Sequence, residues 1–198
     1  MEFQDVVRKR RMVRSFESKP LPPEVVERIV RNAQRAPSAG FSQGWAFLVL
    51  EGGAQTGAYW EAVGPRDASA FRYQDLFHAP LLVVCLSNKH AYLERYAEAD
   101  KGWTDRSETR WPAPYWDIDT GMAALLMLLT AVDAGFGALF FGVPPEKIAA
   151  LRERFGIPDA LLPIGTVAVG YPKAGDPPSP SLERGHRAAD EVVHRGQW

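Results

Sequence analysis

Two short stretches of this chain hold the residues best suited to chemistry. In "RKRRMVRSF", residues 8–16, five cations occupy seven positions: Arg8, Lys9, Arg10, Arg11 and Arg14. A guanidinium is a planar fork that meets phosphate oxygens two at a time, so such a cluster is suited to holding a phosphate. Arg8 and Lys9 fall at the end of a predicted helix over 2–10, where cations favour the helix dipole by a few tenths of a kcal/mol each. Arg10, Arg11 and Arg14 continue into an extended link that reaches Phe16, with alternate side chains on one face. They read either as a phosphate clamp or as a solvated face. The second stretch is "RAPSAGFSQGW", residues 35–45. It reads either as a plain helix-to-strand loop rich in turn formers, or as a loop whose amides and Ser38, Ser42 and Gln43 side chains line a flat polar ligand.

Several other chemistries are excluded. No GxxxxGK[ST] stretch occurs, so there is no P-loop. "GFGALFFG" pairs glycines but follows a helix and opens a strand, the reverse of the dinucleotide fingerprint. His78, His90, His186 and His194 lack metal-ligand spacing, and no metal site is expected. Cys85, the single cysteine, sits mid-strand among Val and Leu and reads as a buried, inert thiol.

The elements around these stretches come from apolar patterning. With 198 residues, 46% hydrophobic and 24% charged, the chain has room for one domain and a substantial core. Its formal net charge of -1 argues against a nucleic-acid coat. The N-terminus lacks the basic start and apolar run of a signal peptide, and with one cysteine this points to the cytoplasm. "PPEVVERIVRNAQRA" is an amphipathic helix with Pro23 at its start. "WAFLVLEG", "PLLVVCLSN", "GALFFG" and "PIGTVAVGYP" are strands, and the first two are continuous apolar runs of the fully buried type.

Residues 88–115 read as an irregular aromatic insertion. Residues 117–134 form a helix with Met122, Leu125, Leu126, Leu128 and Leu129 pointing in all directions, expected to be buried all round. Its uninterrupted apolar part is shorter than the roughly 18 residues a bilayer span requires, so no membrane partner is expected. "PPEKIAALRERFG" is a further helix, ended by Gly156. Residues 173–198 form a proline-rich linker and an arm whose Val192, Val193 and Trp198 should dock on something, such as a second subunit. Helices and strands are interleaved irregularly, which favours an α+β fold.

Together these stretches resemble the nitroreductase family of FMN-dependent oxidoreductases. "RRMVRSF" resembles that family's RRSxRxF motif, and "APSAGFSQGW" its APSxxNxQPW loop. "FHAPLLVVC", "LPIGTVAVGYP" and "DEVVH" are similar to its AP-strand, its late GYP strand and the close of its arm. The resemblance implies a nitroreductase-like fold: a central, mostly antiparallel sheet flanked by helices, in a homodimer with an extended C-terminal arm and FMN at the subunit interface. Arg10, Arg11 and Arg14 would then clamp the FMN phosphate and polar face, joined by Arg184 or Arg187 from the arm. Met12, Ser42 and Gln43 would complete that contact, and Pro37, Ser38 and Ala39 would lie along the flavin from the other subunit. Phe141 and Gly142 would place amides near the reactive ring nitrogen. Phe41, Phe140, Trp103 and Trp111 would form an aromatic substrate pocket. Met12, Phe41 and Gly44 stand where Ser, Asn and Pro are usual.

The implied activity passes electrons from NADH or NADPH through FMN to nitroaromatic, quinone or similar flat acceptors. One alternative is a specialised flavin reaction on the same fold: a substrate-specific dehydrogenase, dehalogenase or flavin-cleaving enzyme. The other is a non-catalytic flavin- or nucleic-acid-binding module, which the near-neutral charge disfavours.

Overall fold

All four predicted strands form, and they join in one sheet. The computed structural model describes residues 1–198 except Arg66, Ala68 and Pro177. Its strands are β1 (Trp45–Glu51), β2 (Leu81–Ser87), β3 (Gly137–Phe141) and β4 (Leu162–Gly170). They stand in the order β1-β2-β4-β3, and every neighbouring pair is antiparallel. The α-helices are α1 (Phe3–Lys9), α2 (Pro23–Ala33), α3 (Gly52–Val63), α4 (Lys89–Ala97), α5 (Tyr115–Asp133) and α6 (Ile148–Phe155).

Helices cover both faces of the sheet, which explains the unbroken apolar run of β2, buried along its whole length. Side chains alternate in direction along a strand. Leu81, Val83 and Cys85 of β2 therefore pack with Val167 and Val169 of β4 against α2 and α5. Leu82, Val84 and Leu86 point the other way, onto Tyr59 and Val63 of α3, Leu151 of α6 and Phe16 of the link. Each buried Leu or Val contributes about 1.5–3 kcal/mol relative to exposure. Cys85 lies in this core as expected, and burial pushes its thiol pKa up to about 12.

The structure departs from the sequence reading at three points. Residues 52–63, to which patterning assigns no element, form α3 despite Gly52, Gly53 and Gly57, which are poor helix formers. The 88–115 insertion is not irregular throughout: α4 occupies its start, capped by the Asn88 side chain accepting from the Ala91 amide at 3.3 Å. Its buried residues are Tyr92 and Leu93, and helix propensity does not single out tyrosine.

The third correction concerns α5, which is not buried all round. It packs on α2 and on the sheet, but Ile118, Met122 and Leu125 remain 40%, 38% and 48% exposed. Their spacing puts them on one stripe of the helix. The full helix is long and apolar enough to span a bilayer, but half of its apolar window is buried inside the fold, as in a core helix. The arm makes two short 3-10 turns, Pro180–Arg184 and Ala189–Glu191, and Val192, Val193 and Trp198 stay exposed on their own chain.

The link between α1 and α2 closes one edge of the sheet. Met12 bridges Ala138 in parallel fashion, and the Val13 amide donates to the Ala138 carbonyl at 3.0 Å. This close approach requires glycine at 137, because a Cβ there would lie 2.9 Å from the Val13 methyls. Further along, Phe16 bridges Pro172 antiparallel, so the link runs between β3 and the end of β4.

Candidate active site

The parallel bridge decides which arginine turns inward. Advancing two residues from Met12 and Ala138 brings Arg14 alongside Phe140, and both line a cavity of about 940 Å³. Its other walls include Tyr59 and Trp60 of α3, Phe71, Tyr73, Phe141 and Gly142. Trp60 stacks on Phe141 with ring centroids 5.5 Å apart and planes 11° from parallel. Tyr59 meets Phe141 edge-on, and its hydroxyl is bound to Thr166 at 2.8 Å. Burial raises the Tyr59 pKa well above its usual range, so this hydroxyl stays protonated and structural. A Cβ at Gly142 would meet nothing within 4 Å.

The charged residues of the lining are Glu146, Lys147 and Arg14, and only the last comes from the basic link. Its guanidinium donates to the Met12 carbonyl at 3.0 Å and lies 5.3 Å from the Tyr73 ring centroid. Among the described residues no carboxylate pairs with it. Its neighbours on the link are fastened by two acids. Asp176, with its side chain 1% exposed, accepts the Arg14 amide at 3.1 Å and pairs with the Arg11 guanidinium. Asp75 accepts from Ser15 at 2.8 Å and from Lys173 at 3.0 Å. The Lys173 and Ser15 bonds hold the Asp75 carboxyl below its ordinary pKa.

A second constellation surrounds the loop of residues 37–44. The Ala39 amide and the Tyr92 hydroxyl both donate to one Asp119 oxygen, at 2.9 and 2.7 Å. Ser38 accepts the Gln43 amide at 3.0 Å, and Ser42 donates to the Ala39 carbonyl at 2.7 Å. Phe41 and Gln43 both take positive φ, 56° and 48°. Left-handed backbone at such residues costs about 1–2 kcal/mol. Phe41 is nonetheless 74% exposed, so no packing of its ring within the chain explains the strained conformation. Strain of this kind gathers at functional sites.

The expected site residues are therefore divided. Arg14, Phe140, Phe141 and Gly142 meet in the cavity. Arg11 points away, lining a separate groove of about 290 Å³ with Lys9 and Phe136. Arg10 is partly exposed and Met12 packs beneath the link. Pro37, Ser38, Ala39, Ser42 and Gln43 belong to the second constellation. Phe41 does not join Phe140 within one chain, and Trp103 and Trp111 instead cluster with Tyr96. Arg184 and Arg187 are exposed on the arm, where Arg187 pairs with Glu191 at 3.2 Å. Sequence reasoning missed Tyr59, Trp60, Phe71 and Tyr73; their only signal was a local crowding of aromatic residues.

Known proteins resemble this chain in sequence and in fold. The sequence model of the nitroreductase family matches residues 7–171. A protein of Archaeoglobus fulgidus, provisionally named NADH dehydrogenase/NAD(P)H nitroreductase, is 27% identical over 193 residues, 96% of this chain and 94% of its own. An NADPH-dependent oxidoreductase of Staphylococcus aureus is 27% identical over 172 residues, 85% of this chain but 64% of its own length. The crystal structure of a nitroreductase family protein from Streptococcus pneumoniae superposes with a TM-score of 0.73 at 21% identity, covering 98% of this chain and 100% of that one. That last likeness is one of fold. With the family's pattern running from the basic link to the end of the last strand, the chain belongs to the nitroreductase family of oxidoreductases.

Proposed function

We propose that the protein is an FMN-dependent oxidoreductase that takes electrons from NADH or NADPH and passes them to a flat aromatic acceptor such as a nitroaromatic or a quinone. The observation that carries this reading is the cavity: aromatic walls, one arginine without a carboxylate partner, and an open glycine. Its volume, about 940 Å³, lies in the range of cofactor sites. This donor set fits FMN, which joins an apolar ring to a single phosphate. Arg14 would hold the phosphate, with Arg10 on the same face of the link. Phe140, Phe141 and Trp60 would wall the ring, and Gly142 leaves room beside it. Bound FMN supplies the electron-transfer chemistry, and the protein's task is to bind, orient and exclude water.

The reading includes a cytoplasmic homodimer. It is supported by the apolar stripe of Ile118, Met122 and Leu125, and by the outward Phe41 loop, which a second subunit could receive. The names of the two relatives support the nicotinamide donor. The test is an absorbance spectrum of purified protein before and after NADPH, with chromatography of the released flavin. A yellow protein bleached by NADPH and releasing FMN is expected; a colourless protein that takes up no FMN overturns the proposal.

A further inference from the structure

We propose that Arg95 of α4 is a positioning residue for acceptor binding, holding the 38–44 loop so that Phe41 offers its ring to the acceptor. The inference rests on the proposed function, in which Phe41 lines the acceptor pocket.

The Arg95 Nε donates to the Gly40 carbonyl at 2.9 Å, directly before Phe41 in the chain. The other two guanidinium nitrogens are held by Asp100, at 2.7 and 2.8 Å, with Glu98 at 3.3 Å from one of them. The carboxylates thus orient the fork and leave Nε aimed at the loop. An ordinary exposed ion pair contributes little, but here the pair fixes a third bond, made to backbone.

The neighbouring residue on α4 locks the same point. A Cβ at Gly40 would lie 2.6 Å from the Tyr96 ring, so ring and loop are in intimate contact. The residue before Gly40, Ala39, is tied to Tyr92 through Asp119, which accepts from both. Directly after these two anchored residues comes Phe41, exposed and at φ 56°. No packing of its ring holds it there; the loop's own bonds, including the Phe41 amide to the Ser38 carbonyl at 2.9 Å, and the contacts of α4 do. A planar fork with three engaged nitrogens cannot be replaced by the single ammonium of lysine.

Two measurements test this. In steady-state kinetics with a quinone and with ferricyanide, Arg95→Ala should raise the KM for the quinone about tenfold, the loss of one charge-assisted bond. The KM for ferricyanide, which has no ring to stack, should rise less than about twofold. Phe41→Ala should show the same split, and adding Arg95→Ala to it should change nothing further. Equal rises for both acceptors, or additive effects in the double variant, overturn the proposal. In flavin-free protein, hydrogen exchange at the amides of Phe41, Ser42 and Gln43 should speed up in Arg95→Ala and recover only partly in Arg95→Lys. Unchanged exchange overturns the positioning role. A wild type that takes up no FMN would remove the proposed function instead, while the exchange result still decides whether Arg95 holds the loop.

Discussion

The cavity around Arg14 and the loop around Phe41 are built on opposite plans. The cavity is walled within one chain, by Arg14, Lys147, Glu146 and a set of aromatic rings. The loop is held as firmly, by Asp119, Tyr96 and Arg95, yet its aromatic ring faces out. One region is the place proposed for a flat, charged cofactor. The other holds a strained backbone and an exposed ring with no partner for that ring among the described residues. The α5 stripe likewise faces outward. In the proposed homodimer, one chain would contribute the pocket and the other its cover.

The sharpest way to break this picture is at α5. The wild type should scatter light as a dimer, and Leu125→Glu should give monomeric or aggregated, flavin-free protein. A carboxylate buried without a partner in an apolar contact costs several kcal/mol. A wild type that is monomeric, soluble and yellow would leave the cavity sufficient alone and the outward loop without a role in cofactor binding.

A second experiment separates the two sides of the basic link. Arg14→Ala should weaken FMN binding by about 1.5–3 kcal/mol, roughly ten- to a hundredfold, in fluorescence titration of apoprotein. Arg11→Ala should leave that affinity nearly intact but lower stability to urea, because it strips the buried Asp176 carboxylate of its partner. Arg8→Ala, at a side chain that pairs with Asp5 on the surface, should do neither. Equal losses of FMN affinity from Arg11 and Arg14 would dissolve the distinction between groove and cavity.

The smallest effect concerns the brace on the cavity side. Asp75 has a folded pKa below its ordinary value of 3.8, caused first by the Lys173 bond and then by Ser15. A depressed carboxyl stabilises the folded state above its ordinary value and loses that stabilisation as pH falls through the folded one. The melting temperature of Asp75→Asn should therefore trail the wild type at neutral pH, with the gap narrowing below about pH 3.8. Solvent screening keeps this gap small, and a gap constant down to pH 2 would refute the assignment.

Much of the fold was legible because burial imposes a pattern. β2 reads as a continuous apolar run since helices cover both faces, and α2 shows its stripe since only one side is buried. α3 and α4 were not legible, one opening on paired glycines and the other packing through tyrosines, neither of which carries a periodic apolar signal. The candidate site was legible where it lies in a contiguous motif, as with Arg14 and the 37–43 loop. It was illegible where it is assembled from afar, as with Trp60 and Tyr73.

The amino-acid sequence alone determined that the chain has an α+β core, that it concentrates guanidinium groups before α2, and that its pattern is that of an oxidoreductase family. These follow from local properties: side-chain type, spacing and the period of apolar residues. Only the tertiary structure decided that Arg14 enters the cavity while Arg11 turns to Asp176. Alternation along an extended link separates the two faces but cannot say which one faces inward. That choice is made by the Met12–Ala138 bridge, a contact between residues more than a hundred positions apart. The same holds for the Phe41 loop, whose Gly40 carbonyl accepts from Arg95, on a helix that the sequence pattern did not reveal.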